Sequence, residues 1–174
     1  MYRVNWKQWK PTDEAVLCFI IASGEILLIH KKRGLGKGKI NAPGGRIEVG
    51  ETALDAAIRE TQEEVGLTPK HPRSFGTLSF AFSDGYGLRC EVFRCARWTG
   101  TLIETDEAKP FWCLLSEIPY QSMWQDDIHW LPHVLSGTPV TGYFTFDADT
   151  MTSCRVVERT TGIVLAETDG HISS

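Results

Sequence analysis

Residues 44–67 read GGRIEVGETALDAAIRETQEEVGL and pass from a glycine turn into a helix. In this helix Glu60, Glu63 and Glu64 stand at positions i, i+3 and i+4, so their carboxylates lie within an arc of roughly 100°. Like charges at this spacing repel one another. A divalent cation turns the repulsion into attraction, because hard ions such as Mg²⁺ prefer oxygen ligands. The stretch therefore predicts a metal-binding helix, and a solvated glutamate-rich face is the alternative.

The helix has start and stop signals in the sequence. Thr52 is a favourable N-cap residue with Asp55 three positions later, and Gly66 followed by Pro69 is typical of a helix end. Four residues are expected to form the stripe that faces the core: Leu54, Ile58, Thr61 and Val65.

Length and composition are those of one soluble domain, with 174 residues, 42% of them hydrophobic and 23% charged. The net charge of -4 excludes a global basic field for long nucleic acid, so a phosphate-bearing ligand must be a small molecule. Five cysteines without a C-x-x-C pair predict reduced, buried thiols in a cytoplasmic protein. No apolar run reaches the length of a membrane span, so no membrane partner is expected.

The remaining pattern predicts an α+β domain. Strands are expected at 15–21, 25–30, 75–82, 88–98, 111–115, 142–146 and 154–158. A second helix is expected at 122–135, shortened or bent by Pro132. We expect a mixed sheet flanked by two main helices within a domain at 14–158. The ends, 1–13 and 159–174, are extensions, the latter an edge strand or disordered.

A cationic segment follows the first predicted hairpin. Lys31–Lys39, KKRGLGKGK, is called here the glycine-rich loop and holds five cations and three glycines. Glycines allow a backbone to approach a ligand closely, so this loop is either a clamp over phosphates or a solubilising surface loop.

Seven positions in the opening stretch match a known signature. The pattern is G-x5-E-x7-R-E-x-x-E-E-x-G, made by Gly45, Glu51, Arg59, Glu60, Glu63, Glu64 and Gly66. Chance matches to seven fixed residues occur on the order of once in 10⁸ start positions. The pattern resembles the box of the Nudix hydrolases, which cut nucleoside diphosphates linked to another moiety. The resemblance implies an α/β/α sandwich with a mixed, curved sheet. Thr61 stands where the family usually has an aliphatic residue, a difference that concerns packing rather than chemistry.

The resemblance also implies a role for each acidic residue. Glu60, Glu63 and Glu64 would bind Mg²⁺, or Mn²⁺ as a substitute, together with the backbone carbonyl of Gly44. Glu107 would be brought to the metals by a loop, as a ligand or general base. The implied catalytic residues are thus Glu63, Glu64 and Glu107. A separate ion pair, Glu51 with Arg59, would brace the loop against the helix.

Similarity to one Nudix branch, the oxidised purine nucleoside triphosphatases, extends over roughly 15–158. It rests on KKRGLGKGKINAPGG, ETDEAKPFW, IPYQSMWQDDIHWLP and GYFTFDADT. This branch hydrolyses 8-oxo-dGTP and 2-oxo-dATP to the monophosphate and pyrophosphate, which removes damaged nucleotides from the pool. The resemblance implies the same activity here, by a monomer, with a dimer left open.

The substrate-binding residues implied by this branch are Lys31, Asn41, Gly44, Gly45, Arg46, Phe80, Trp124, Asp126 and Asp127. Asn41 with the two aspartates would read the purine edge, since an amide and a carboxyl pair that shares a proton both donate and accept hydrogen bonds. Trp124 would pack on the base. The alternatives are that the aspartates begin a helix, that Trp124 and Phe80 are core residues, and that Lys31 is a surface lysine.

Four positions depart from the branch. Leu35 and Ile40 stand where aromatic residues are usual, and Ala42-Pro43 replaces a glycine-aromatic pair. Base preference therefore stays open. Another Nudix substrate (a methylated or ordinary nucleotide, a nucleotide sugar or a dinucleoside polyphosphate) and a non-catalytic nucleotide-binding module are the other hypotheses.

Overall fold

The computed structural model describes residues 3–168. The strands are β1 (Asp13–Ala22), β2 (Glu25–Lys31), β3 (Ile40–Asn41), β4 (Gly44–Arg46), β5 (Leu67–Lys70), β6 (Arg73–Phe82), β7 (Gly87–Cys95), β8 (Arg97–Gly100), β9 (Ala108–Leu114), β10 (Val140–Asp147), β11 (Thr150–Glu158) and β12 (Val164–Thr168). The helices are α1 (Ala53–Val65) and α2 (Asp127–Leu135), and 3-10 turns lie at Leu115–Glu117 and Tyr120–Ser122.

The chain divides into two compact units, each described by itself. The first unit contains residues 3–14, 75–90 and 125–168. The second unit contains residues 15–74 and 91–124.

In the second unit, strand β2 has three antiparallel partners. It pairs with β1 in the predicted hairpin, and also with β3 and β9. The hairpin turn uses Ser23 and Gly24 with positive φ angles of 53° and 77°, which suit the twist of a two-residue connection. β4, which contains Gly44 and Gly45, also pairs antiparallel with β1.

Helix α1 begins and ends where its signals predict. The Thr52 side chain accepts a hydrogen bond from the backbone N–H of Asp55 at 3.1 Å. Gly66 ends the helix with φ 80°, and its N–H donates to the carbonyl of Gln62. A side chain at Gly66 would also collide with the backbone of Thr101. Both the positive φ angle and this close contact therefore require glycine.

The buried face of α1 differs from the expected stripe. Leu54 is 42% exposed, whereas Ala56 and Ala57 are fully buried against the core of the second unit. These small residues let the helix approach the sheet closely, which turns Glu64 to the buried side, where it is 5% exposed. Thr61 is buried and its hydroxyl donates to the carbonyl of Ala57 at 2.7 Å, so the unusual box residue is satisfied within its own helix.

Two predicted strands have different bounds. The strand expected at 88–98 ends at Cys95, and a new strand, β8, begins at Arg97 to pair with β5. β9 begins at Ala108, earlier than expected, and includes Pro110 opposite Ile29. A proline lacks the N–H that a central strand needs, but it is tolerated where only one side of the strand is paired.

The first unit contains a mixed sheet. β10 runs parallel to β6 and antiparallel to β11, which confirms the closing hairpin and gives the mixed sheet of an α+β fold. β12 pairs with β11, so Val164–Thr168 add a strand at the edge. The remainder of the predicted C-terminal extension, 169–174, lies outside the described residues.

Helix α2 is shorter than predicted. It begins at Asp127, because Met123 is extended (φ -107°, ψ 177°) and the side chain of Gln125 accepts a hydrogen bond from the backbone of Met151 at 2.8 Å. Pro132 lies inside the helix, which continues to Leu135. Within residues 3–168 no helix has the length and apolar character needed to cross a membrane.

Candidate active site

Three carboxylates meet in the second unit. Glu60 and Glu64 lie one turn apart on α1, and Glu107 lies directly before β9. One oxygen from each of the three is within 4.8 Å of the others. We call this group the acid cluster. A set of carboxylate oxygens is the donor set that Mg²⁺ and Mn²⁺ prefer, so these residues fit a hard divalent cation.

Glu64 is the most constrained member of the acid cluster. Burial raises its pKa to about 8, and the neighbouring charges of Glu60 and Glu107 act in the same direction. The charge of Lys31 and a hydrogen bond from the backbone N–H of Gly44 act in the opposite direction. A negative charge at this buried position is therefore costly unless a cation lies beside it.

Gly44 and Gly45 both lie in close contacts, and that of Gly44 is with backbone. A Cβ atom on Gly45 would collide with the carboxyl group of Glu60. One on Gly44 would collide with the backbone of Val16 in β1. Gly44 therefore lets β4 pair closely with β1, and Gly45 leaves space beside β4 for the carboxyl group of Glu60. Burial also raises the pKa of Glu60, although Arg59 opposes this shift.

Arg59 connects the loop before α1 to the helix. Its guanidinium donates two hydrogen bonds to Glu51, at 2.6 and 2.8 Å, and one to the carbonyl of Arg46 at 3.1 Å. This pair lowers the pKa of Glu51 to about 2. The same guanidinium contacts Glu60 at 2.9 Å and Glu63 at 3.2 Å. The expected Glu51–Arg59 ion pair is thus present as a bidentate contact.

Glu63 lies apart from the acid cluster. Its side chain is 54% exposed and contacts Arg59. Among the described residues the group of three metal-ligating carboxylates contains Glu60, Glu64 and Glu107 but not Glu63.

The loop that carries Glu107 is held by residues that the sequence did not single out. The hydroxyl of Thr105 donates to the carbonyl of Glu64 at 2.8 Å and accepts from the N–H of Glu107 at 3.3 Å. The backbone N–H of Lys32 donates to the carbonyl of Glu107, and its ammonium group donates to the carbonyl of Thr105. Arg33 forms an ion pair with Glu107 at 2.6 Å. The contacts of Lys32 and Arg33 join segments more than seventy residues apart, and that of Thr105 with Glu64 spans 41 residues, so no local pattern indicates them.

Trp124 packs against the glycine-rich loop. The ammonium group of Lys39 lies 5.1 Å from its ring centroid, and a Cβ atom on Gly36 would lie 2.8 Å from its indole nitrogen. Trp124 is half-buried, so it is not simply a core residue. Asn41 is also half-buried, and its side-chain oxygen accepts the N–H of Ala42 at 2.8 Å, which leaves its two N–H groups as donors.

In the first unit, Asp126 and Asp127 are buried, at 2% and 4% exposure. Asp126 accepts a hydrogen bond from the indole N–H of Trp130 at 2.8 Å and makes no side-chain cap bond to α2. The two aspartates thus begin α2, as the alternative predicts, with Asp126 at the N-cap position and Asp127 in the first turn, but the carboxyl of Asp126 binds Trp130 rather than the helix backbone. Burial raises the pKa of Asp126 to about 6, and hydrogen bonds from Trp130 and with Asp127 oppose this. Phe80 is half-buried and stacks on Phe144 with 5.2 Å between centroids.

Comparison with known proteins identifies the family. The profile of the NUDIX domain matches residues 11–134. The chain belongs to the Nudix family. This Nudix chain is 40% identical to the oxidized purine nucleoside triphosphate hydrolase of Danio rerio, over 75% of its own length and 84% of that protein. It is 37% identical to the Mus musculus protein of the same name, over 79% and 89% of the two chains.

Solved Nudix structures share the fold. A MutT protein from Bacillus halodurans superposes with a TM-score of 0.74 and 28% identity, covering 83% of this chain and 97% of that one. The chain is therefore an enzyme of the Nudix hydrolase family.

In this Nudix hydrolase the expected site residues fall into both units. The second unit contains the acid cluster and also Lys31, Asn41, Gly44, Gly45, Arg46 and Trp124. Phe80, Asp126 and Asp127 belong to the first. The residues that sequence reasoning missed are Thr105, Lys32 and Arg33; the K-K-R run marked the loop as positive but did not indicate which carboxylate it contacts.

Proposed function

We propose that this Nudix hydrolase cleaves an oxidised purine (deoxy)nucleoside triphosphate, such as 8-oxo-dGTP or 2-oxo-dATP, to the monophosphate and pyrophosphate. The observation that carries the proposal is the acid cluster, in which oxygens of Glu60, Glu64 and Glu107 lie within 4.8 Å of one another. The names of the Danio rerio and Mus musculus relatives support the choice of substrate.

The acid cluster is proposed to hold Mg²⁺, or Mn²⁺ in its place, with the carbonyl of Gly44 as a further ligand. Glu63, on the same helix, is proposed as a further metal ligand and catalytic carboxylate. When bound, the cation neutralises phosphate charge and lowers the pKa of the attacking water. Glu107 is half-exposed and carried by a loop, which suits a ligand or a general base that takes the proton of this water.

The phosphates are proposed to contact the backbone at Gly44 and Gly45, and Lys31 and Arg46 nearby. Lys31 lies close enough to Glu64 to affect its pKa, so its ammonium group is within electrostatic reach of the acid cluster. A cation here offsets the charge of a phosphate held beside three carboxylates.

The base is proposed to be read by Asn41, Asp126 and Asp127, with Trp124 and Phe80 as apolar contacts. The pKa of Asp126 is raised to about 6 by burial, and its carboxyl interacts with that of Asp127. A carboxyl pair in close contact can share a proton, and the raised pKa of Asp126 keeps that proton bound to a higher pH than in an ordinary aspartate, so the pair can both donate and accept. Moving this proton would allow the pair to accept either oxidised base.

A nucleotide panel tests the proposal. With Mg²⁺ present, kcat/KM for 8-oxo-dGTP or 2-oxo-dATP should exceed that for dGTP or dATP by at least about tenfold, a difference that one or two hydrogen bonds to the base supply. The products should be the monophosphate and pyrophosphate. Equal rates for oxidised and ordinary purines would exclude a sanitation role.

One observation favours a second substrate class. Ile40 and Ala42, which flank Asn41 and differ from the oxidised purine branch, are both buried, at 7% and 2% exposure. The side of the site formed by this segment therefore has a different shape. Methylated or ordinary nucleotides, nucleotide sugars and dinucleoside polyphosphates belong in the same panel, and preference for one of them would select this alternative.

A further inference from the structure

Arg33 and the acid cluster use the same carboxylate. The guanidinium of Arg33 contacts Glu107 with an N–O distance of 2.6 Å. Glu107 also provides an oxygen within 4.8 Å of those of Glu60 and Glu64. A divalent cation bound by the acid cluster and the guanidinium of Arg33 therefore draw on one carboxyl group.

We propose that Arg33 is a placeholder cation, which neutralises Glu107 in the metal-free enzyme and releases it when metal and substrate phosphate bind. The inference rests on the proposed function, because it takes the acid cluster as the metal site. It goes beyond that function by giving Arg33 a role in coupling the binding of the metal to that of the phosphate.

The two arginines of the site differ in how firmly they are held. The side chain of Arg59 is 24% exposed and is fixed by two hydrogen bonds to Glu51. The side chains of Arg33 and Glu107 are 63% and 45% exposed. An ion pair exposed to this degree is weak, because water and salt screen it. Arg33 is therefore exchangeable, whereas Arg59 is a fixed brace.

The backbone beside Arg33 is anchored, so the exchange needs only its side chain. The N–H of Lys32 donates to the carbonyl of Glu107 at 2.9 Å, and its ammonium group donates to the carbonyl of Thr105 at 2.7 Å. The next residue, Gly34, takes a positive φ of 79°. Rotation of the Arg33 side chain thus frees the carboxylate of Glu107 without moving the loop that carries it.

A substrate phosphate is a suitable acceptor for the released guanidinium. The planar fork of an arginine matches phosphate oxygens as well as it matches a carboxylate. After the exchange Glu107 faces the bound cation and Arg33 faces phosphate, so every charge keeps a counter-charge. A phosphate that binds Arg33 leaves Glu107 free to bind the metal. Phosphate therefore raises the affinity for the metal, and the metal raises the affinity for phosphate to the same degree.

Mn²⁺ binding without nucleotide, followed by electron paramagnetic resonance, tests the placeholder role. Arg33→Gln should bind Mn²⁺ three- to tenfold more tightly than the wild type, because Glu107 is no longer occupied. Lys37→Gln removes the same charge from the same loop, where Lys37 forms no ion pair with any described residue, and should change the affinity less than twofold. Equal effects of the two substitutions, or weaker binding by Arg33→Gln, would show that Arg33 does not compete for Glu107.

Crystals of the wild-type protein with and without Mn²⁺ give a second readout that does not depend on a variant folding. The distance from the Arg33 guanidinium to the Glu107 carboxylate should increase beyond about 4 Å with Mn²⁺, while the Arg59–Glu51 contact stays. An unchanged Arg33–Glu107 contact in the metal-bound crystal would overturn the inference. A failed nucleotide panel with the Mn²⁺ results intact would reject only the proposed substrate, whereas absence of Mn²⁺ binding to the wild type would reject both proposals.

Discussion

Glu64 is both acidic and buried, and at the scale of single residues this combination determines how the metal-free protein responds to pH. Its side chain is 5% exposed, and burial raises its pKa to about 8 from an ordinary value of 4.5. Between these values the folded protein binds more protons at this group than the unfolded chain does. The free energy of unfolding therefore falls as pH rises from about 5 to about 8.

Glu64→Gln should remove this dependence. In EDTA the wild type is expected to lose on the order of 3 kcal/mol of stability between pH 5 and pH 8, because the buried carboxyl must ionise. The glutamine variant has no proton to lose and should be the more stable protein at pH 8. Urea denaturation at the two pH values measures the difference, and the same pH dependence in both proteins would show that Glu64 does not titrate as a buried acid.

The spacing of Glu60, Glu63 and Glu64 was readable from the sequence, but their different environments were not. The helical period places all three on one face, yet Glu64 is buried whereas the Glu63 side chain is 54% exposed. Glu64 lies on the same buried face of α1 as Ala57, seven residues earlier, and Glu63 lies outside that face. Periodicity gives directions around a helix axis and does not give the rotation that packing selects.

At the scale of elements, the end of α1 is capped by the loop that carries Glu107. The last carbonyls of a helix have no partner within the helix. The N–H of Ile103 donates to the carbonyl of Val65, and the hydroxyl of Thr105 donates to that of Glu64. The same hydroxyl accepts a hydrogen bond from the backbone N–H of Glu107. The Thr105 side chain therefore connects α1 directly to Glu107.

Thr105→Val should loosen this connection. The change keeps the shape and removes the hydroxyl, so it is expected to cost about 1 kcal/mol of stability and to weaken Mn²⁺ binding three- to tenfold. Thr105→Ser keeps the hydroxyl and should keep the metal affinity. Calorimetric titration with Mn²⁺ measures both variants. Equal affinities for the valine and serine proteins would mean that the hydroxyl does not position Glu107.

The glycine-rich loop offers a matched pair of substitutions. Gly36 and Gly38 both have positive φ angles, of 81° and 87°, so alanine strains both backbones alike. Only at Gly36 would the added Cβ meet a side chain, that of Trp124. Gly36→Ala should therefore raise KM for the best nucleotide by about tenfold, and Gly38→Ala by less than about threefold. Steady-state kinetics decides this, and similar KM values would argue against a role for the contact with Trp124.

At the scale of the whole molecule, elements defined by local signals were predicted well. The caps at Thr52 and Gly66 are as expected, as are the hairpins formed by β1 with β2 and by β10 with β11. The second helix was predicted too long, because tertiary hydrogen bonds hold the segment before Asp127 in an extended form. Local patterns indicate where an element is favourable, whereas long-range contacts decide where it begins.

Contacts between segments that are distant in the chain could not be predicted from the sequence. Three carboxylates of the box were recognised, and resemblance indicated Glu107, but the ties made by Arg33 and Thr105 cross separations of 74 and 41 residues. No periodicity spans such intervals. The sequence therefore predicts the chemistry of the candidate site, and the structure adds how its loop-borne member is held.

The most direct test of the central claim, that the acid cluster binds the metal required for hydrolysis, is nucleotide turnover in Mg²⁺ by the wild type and by Glu64→Gln. Glu117→Gln, a change in the 3-10 turn Leu115–Glu117 outside the acid cluster, is the control. We predict that EDTA abolishes wild-type activity. Glu64→Gln should lower kcat/KM by more than about 10²-fold while the protein stays folded, whereas Glu117→Gln should change kcat/KM less than twofold. Activity near the wild-type level in folded Glu64→Gln would contradict the account.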